Sequence, residues 1–119
     1  MAAIFVLSSL PGLPAPPGIF TDKHAHFAAY GVLSALVFRA LAGGRRSDFT
    51  FGRGLAALAI ATAYGVTDEW HQSFVPGRQA ELADLAADAL GATAAAGALW
   101  AWSIIGRSRR LAVVNRHRG

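Results

Sequence analysis

The sequence predicts an all-α fold: an integral membrane helical bundle of three full spans, preceded by a short N-terminal helix or a truncated fourth span. Three observations predict it. Hydrophobic residues make up 54% of the 119 residues and charged residues only 15%, against about 25% charged in an ordinary soluble domain. The apolar residues gather in blocks separated by short charged islands. The arginines are segregated from the acids in a pattern that fits three crossings. The soluble alternative is a small alanine-rich bundle, but so small a domain has much surface to cover with polar groups, and few are supplied.

The length fits one domain, 1–119. Residues 1–10 (MAAIFVLSSL) are apolar but run into Pro11, Pro14, Pro16 and Pro17. These prolines cannot continue a helix, so 11–21 reads as an extended connector. The first stretch is shorter than the roughly 20 residues a spanning helix needs and lacks the basic flank of a signal peptide. It is expected to be a remnant first helix, or to follow from a start placed too far downstream.

The second block runs from His26 to Leu41, with Thr21 or Asp22 as N-cap and Gly43-Gly44 as stop. The third, Gly54 to Thr67, continues helically to Gln72, and Pro76-Gly77 ends it. The fourth, Ala89 to Gly106, holds 18 residues without a charge and closes in Trp100 and Trp102, as at a membrane–water interface. The middle two uncharged runs are about 14 residues each, and reach spanning length only with their charged ends included.

With three crossings, the loop at 42–53 and the tail at 107–119 share a side. Counting Arg39, that side holds nine arginines against the single acid Asp48. The other side holds Asp22, Asp68, Glu69, Glu81, Asp84 and Asp88 against Lys23 and Arg78. Arginine-rich loops stay cytoplasmic. The expected location is therefore the plasma membrane, multi-pass, with the acidic side outward and the basic tail cytoplasmic. That tail suits anionic lipid headgroups. No aromatic stacking pattern or reading helix accompanies it, so no nucleic-acid partner is expected. The chain has no cysteine, which excludes disulfides, thiolate metal sites and a thiol nucleophile.

Three islands on the acidic side carry chemistry. In the first, Asp22, His26 and Tyr30 are four apart and share a helix face; a carboxylate beside an imidazole fixes its tautomer. In the second, Asp68 and Gln72 share a face, Glu69 joins Gln72, His71 lies between them, and Pro76-Gly77 turns the chain at Arg78. Acids at a helix C-terminus oppose the dipole, and such a local inconsistency marks function. In the third, Glu81, Asp84, Asp88 and Gly91 form a stripe at the opening of block four. Gly91 and Gly97, with Ala92 and Ala94 to Ala96, offer small surfaces for close helix packing. Assembled, the islands would bind a hard cation, perform acid–base chemistry, or neutralise themselves as an ion-pair network. Spacing alone does not rank these uses. No metal-ligand motif, phosphate loop or nucleophile elbow is present, so no metal ligand is assigned, and no cofactor follows.

The stretches DKHAHFAAY (22–30), DEWHQSFVPGR (68–78) and DLAADALGA (84–92), between apolar helices, resemble the VanZ-like family. Ser8-Ser9-Leu10-Pro11 resembles the family's segment after its first helix. The resemblance implies a small polytopic membrane protein, usually of four helices with both termini cytoplasmic. Its founding member is associated with low-level teicoplanin resistance. The family pattern falls on Asp22, Lys23, His26, Tyr30, Asp68, Glu69, Gln72, Pro76, Gly77, Arg78, Asp84 and Gly91. Asp88 departs from it, standing where the family usually has asparagine.

The functional expectation is a cell-envelope protein that lowers glycopeptide susceptibility by binding or altering an outer-face lipid or wall component. Lys23 and Arg78 would contact an anionic group such as the phosphate of an envelope lipid or wall precursor. Tyr30, His71, Gln72, Asp84 and Asp88 would line the site. Asp22, His26, Asp68 and Glu69 are the candidate catalytic residues, and Pro76, Gly77 and Gly91 the structural ones. Two alternatives stand beside it: a membrane-embedded enzyme acting on a lipid-linked phosphate or ester, and a structural partner of another membrane protein. The oligomeric state is not legible.

Overall fold

The computed structural model describes Val6 and residues 22–77 and 81–117. The expected remnant helix, the proline connector, the Thr21 cap and Arg78 lie outside the described residues, as does the Asp22 side chain. The described chain is all-α. Helix α1 (Asp22–Leu41) is followed by a 3₁₀ turn (Arg46–Asp48), then α2 (Phe51–Gln72) and α3 (Leu82–His117).

Each boundary has a local cause. Helix α1 ends in a Schellman motif: the Gly44 N–H donates to the Arg39 carbonyl and the Gly43 N–H to the Ala40 carbonyl, both at 3.0 Å. Gly43 and Gly44 take φ of 59° and 72°, where a side chain is disfavoured. At the start of α2, the Thr50 hydroxyl accepts from the Arg53 N–H at 3.3 Å, a side-chain N-cap. Helix α2 stops at Gln72, several residues before Pro76, by passing into tight turns in which Phe74 and Val75 donate to His71 and Gln72. Gly77, at φ 82°, supplies the left-handed residue of the connection.

Helix α3 runs well past Gly106, where the fourth block was expected to close. One mid-helix glycine costs only about 1 kcal/mol, and Arg107, Arg109, Arg110, Leu111 and Ala112 are mostly good helix formers. Residues 107–117 of the expected tail are thus the last turns of α3. At 36 residues the helix is about 54 Å long.

Helices α1 and α3 run parallel, with α2 antiparallel between their ends. Glycines set the spacing. A Cβ on Gly91 would sit 2.8 Å from the Phe27 carbonyl carbon, and one on Gly31 would sit 3.3 Å from the Gly91 carbonyl oxygen. The α1 and α3 backbones are therefore in direct contact, and the Ser34 hydroxyl donates across it to the Ala92 carbonyl at 2.9 Å. Gly54 admits the Phe38 ring against α2, and Phe38 meets Phe49 edge-on at 4.8 Å. Gly97, expected to share this role, does not: nothing lies within 4 Å of its Cβ position. It opens on an apolar cleft of about 130 Å³ between α2 and α3, lined by Phe51, Leu55, Leu58 and Trp100.

Beside an apolar core that includes Tyr30, Leu33, Phe38 and Phe49, the bundle buries many polar side chains and exposes many large apolar ones. His26, Ser34, Asp68, Glu69, Gln72, Asp84, Asp88 and Ser103 are buried, whereas Val32, Leu36, Leu55, Ile60, Val66, Leu90 and Ile105 are exposed. At the arginine-rich end, the Arg46 guanidinium lies 3.3 Å from the centroid of the Trp102 ring. It also donates to the Trp102 carbonyl at 2.9 Å, and Gly106 leaves room for it. Ser103 and Arg107 donate to the Phe49 carbonyl at 3.1 and 3.3 Å, fastening the α1–α2 loop to α3. Among the described residues one helix, α3, is long and apolar enough by composition to cross a membrane.

Enlarging Gly91 should break the α1–α3 contact. Gly91→Leu is expected to lower stability by at least about 1–3 kcal/mol, the usual cost of overpacking, whereas Gly97→Leu should leave it unchanged. Thermal unfolding of the two variants in detergent separates them.

Candidate functional site

The start of α1, the end of α2 and the start of α3 meet at one end of the bundle and bring the three sequence islands together. His26 projects from the second turn of α1, and its Nδ1 lies 2.9 Å from Oδ1 of Asp88 on α3. Both side chains are buried, Asp88 completely. One turn further along α1, Tyr30 lies in a plane parallel to the His26 ring, with centroids 6.3 Å apart. Its hydroxyl donates to Oδ2 of Asp68 on α2 at 3.2 Å. Gln72, one turn on from Asp68, donates to the same oxygen at 3.3 Å, the i,i+4 contact that its spacing predicts.

Glu69 is 7% exposed. Its Oε2 accepts from the Glu81 backbone N–H at 3.1 Å, tying the end of α2 to the approach to α3. Its Oε1 is buried with no hydrogen-bond partner among the described residues, as are Oδ1 of Asp84 and Oδ2 of Asp88. Lys23 stands at the rim, its side chain about half exposed, 3.1 Å from Glu81 Oε2 and 3.7 Å from Asp84 Oδ1. The hydrogen bond to Glu81, reinforced by the Glu81 and Asp84 charges, holds its ammonium above the ordinary lysine range. One ring nitrogen of His26 and one carboxylate oxygen each of Glu69 and Asp84 lie within 4.8 Å of one another.

His26 and Tyr30 share a face as their spacing predicts, while the Asp22 side chain lies outside the described residues. The carboxylate on His26 Nδ1 is Asp88, 62 residues away on another helix, and the Tyr30 hydroxyl reaches across to Asp68. Lys23 is engaged by the acids of α3 and its approach. His71 is half-buried at the edge of the cluster. Pro76 and Gly77 lie in the turn beyond α2, and Gly91 lies one turn inward from Asp88.

One residue escapes sequence reasoning. A Cβ on Gly65 would lie 3.0 Å from Asp88 Oδ2 and 3.3 Å from the Tyr30 ring. Gly65 therefore makes the space in α2 that lets Asp88 reach His26. Its only signal is a glycine inside a helical pattern one turn before Asp68 and Glu69, where close approach is the usual reason.

The chain matches the family model described as VanZ/LLP1 over residues 4–105. It belongs to the VanZ/LLP1 family. No curated protein and no solved structure matches the chain. The VanZ/LLP1 match takes in every residue of the cluster and ends just before the basic last turns of α3.

The His26–Asp88 pair should be energetically coupled. A double-mutant cycle with His26→Ala and Asp88→Ala is expected to give a coupling of about 1.5–3 kcal/mol, as for hydrogen bonds to a charged group. Gly65→Ala should reduce that coupling, because its methyl group displaces the Asp88 carboxylate. Unfolding midpoints in detergent measure both.

Proposed function

We propose that this VanZ/LLP1 protein is a multi-pass membrane protein that chemically alters a lipid-linked phosphate or ester at the outer membrane face. Three observations support the spans. The outward surfaces of α1 and α2 are apolar and their polar residues point inward, so average composition understates how lipid-compatible these helices are. Trp70 and Phe74 pair edge-on at 5.4 Å at the acidic end, and Phe51 and Trp100 at 5.6 Å at the arginine-rich end. From Phe51 to Trp70 α2 rises about 28 Å, close to the roughly 30 Å hydrocarbon thickness between two aromatic belts. The arginines behind the second belt favour a cytoplasmic position for it, with the acidic cluster outward.

The observation that favours alteration over binding alone is the buried His26–Asp88 pair. Aligned with a carboxylate, an imidazole keeps one tautomer and is a stronger base. In this reading His26 removes the proton of a water or hydroxyl whose oxygen attacks the phosphoryl or acyl centre. The bond to the leaving oxygen breaks, and His26 returns the proton to that oxygen. Asp88 positions His26, while Tyr30 and Gln72 hold Asp68. Lys23 and Arg78 serve the anionic head group. Lowered glycopeptide susceptibility, which the family resemblance implies, would follow from the altered envelope lipid. A role only as a structural partner would not require acids buried at this cost.

The test is turnover. Purified protein in vesicles of envelope lipid extract should release a product detectable by mass spectrometry. His26→Ala and Asp68→Asn should each lower the rate by about 10²-fold or more, the usual weight of acid–base groups, and a strain carrying either variant at equal protein level should lose any protection against teicoplanin. No product from a broad lipid panel, or equal rates in the variants, would overturn the reading.

A further inference from the structure

We infer that the acidic end of the bundle is a divalent metal site in which His26, Glu69 and Asp84 hold the ion and Asp88 positions the histidine. Three elements contribute one donor each, from α1, α2 and α3, and their ligand atoms lie within 4.8 Å of one another. A tetrahedral ion with bonds of about 2.0–2.1 Å separates its ligand atoms by about 3.3 Å. Side-chain rotation of an ångström or so closes the difference without moving a helix.

A second, independent observation points to a ligand. Glu69 is more than nine-tenths buried, yet its Oε1 has no hydrogen-bond partner among the described residues. Buried carboxylate oxygens in native proteins are normally hydrogen-bonded. Its other oxygen is fixed by the Glu81 N–H, so the orphan oxygen is held rather than free to turn away. Oδ1 of the buried Asp84 likewise has no hydrogen bond, and its nearest cation is the Lys23 ammonium at 3.7 Å.

The charge balance has the same sign. Asp68, Glu69, Asp84 and Asp88 are buried together, and among the described residues Lys23 is the one permanent cation at this end. The His26 geometry fits a metal ligand as well. A ligating histidine typically donates its other ring N–H to a carboxylate, which fixes the tautomer and orients the ring. The Nδ1–Asp88 contact at 2.9 Å supplies that and fixes Nε2 as the basic nitrogen of the ring. Mixed imidazole and carboxylate donors select a first-row ion such as Zn²⁺ or Mn²⁺ over Ca²⁺. Three protein ligands leave a position open for water or a substrate oxygen.

This inference rests on the proposed function and revises one role in it: with an ion held, His26 is a ligand, the proton of the attacking oxygen goes to a neighbouring carboxylate such as Asp68, and the ion lets an acidic pocket receive a phosphate. Its test does not depend on turnover. Protein stripped with chelator is dialysed against ZnCl₂ or MnCl₂, and bound metal is counted by mass spectrometry. About one equivalent is expected for the native chain. Glu69→Gln and Asp84→Asn should each weaken binding at least about tenfold, and Asp88→Asn by roughly 10–100-fold, as for outer partners of a ligating histidine. X-ray absorption of the native zinc form should show a single imidazole among oxygen donors, a readout that needs no variant to fold. No ion retained by the native chain, undiminished binding in the Glu69→Gln/Asp84→Asn double variant, or a spectrum without imidazole would overturn the site. Metal bound without turnover would remove the enzymatic reading and leave the site standing. Turnover by a native chain that retains no ion would do the reverse.

Discussion

Four carboxylates and an imidazole are buried between helices whose outer surfaces are apolar, and the rest of the architecture answers to that burial. A polar group kept from water must find a partner inside the protein. Here the partners come from elsewhere in the bundle: Asp88 for His26, Tyr30 for Asp68, and the backbone of Glu81, on the approach to α3, for Glu69. Such contacts require backbones that approach closely. Gly31 and Gly91 bring α1 onto α3, and Gly65 clears the path between Asp88 and His26. The small residues and the acids are therefore two parts of one arrangement.

The two ends of the bundle divide the work. At the arginine-rich end the side chains are spent on structure: Arg46 caps Trp102, and Ser103 and Arg107 hold the Phe49 carbonyl. At the acidic end several polar atoms are held but not satisfied, including Glu69 Oε1 and Asp88 Oδ2. Unsatisfied buried groups weaken a fold; among the described residues the arginine-rich end holds one, Arg46 Nε, whereas three carboxylate oxygens, on Glu69, Asp84 and Asp88, gather at the acidic end.

Much of this was legible in the sequence, for identifiable reasons. Helix type and order follow from apolar blocks with strong punctuation, and Gly43-Gly44 ends α1 as its glycines predict. Local pairs such as Asp68–Gln72 follow from helical spacing. The sequence places the three islands at one end of the bundle because chain direction alternates with each crossing. The contact between His26 and Asp88 is not legible, because Asp88 lies sixty-two residues away and spacing ranks only local candidates. Gly65 and Gly97 look alike in sequence, yet one faces Asp88 and the other an open cleft, a difference set by helix rotation. The uncharged run of block four closes at Gly106, but α3 continues through the arginines beyond it, and packing of Arg46 across Gly106 makes use of the missing side chain.

The central claim is that the apolar girdle spans a bilayer and presents the acidic cluster outside. Since the chain lacks cysteine, single cysteines at Ser73 and Ser108, both exposed, report the two ends without background. Intact cells treated with a membrane-impermeant maleimide should label the protein at position 73, and at 108 only after permeabilisation. Labelling at 108 in intact cells, or recovery of both forms in the soluble fraction after lysis, would contradict the account.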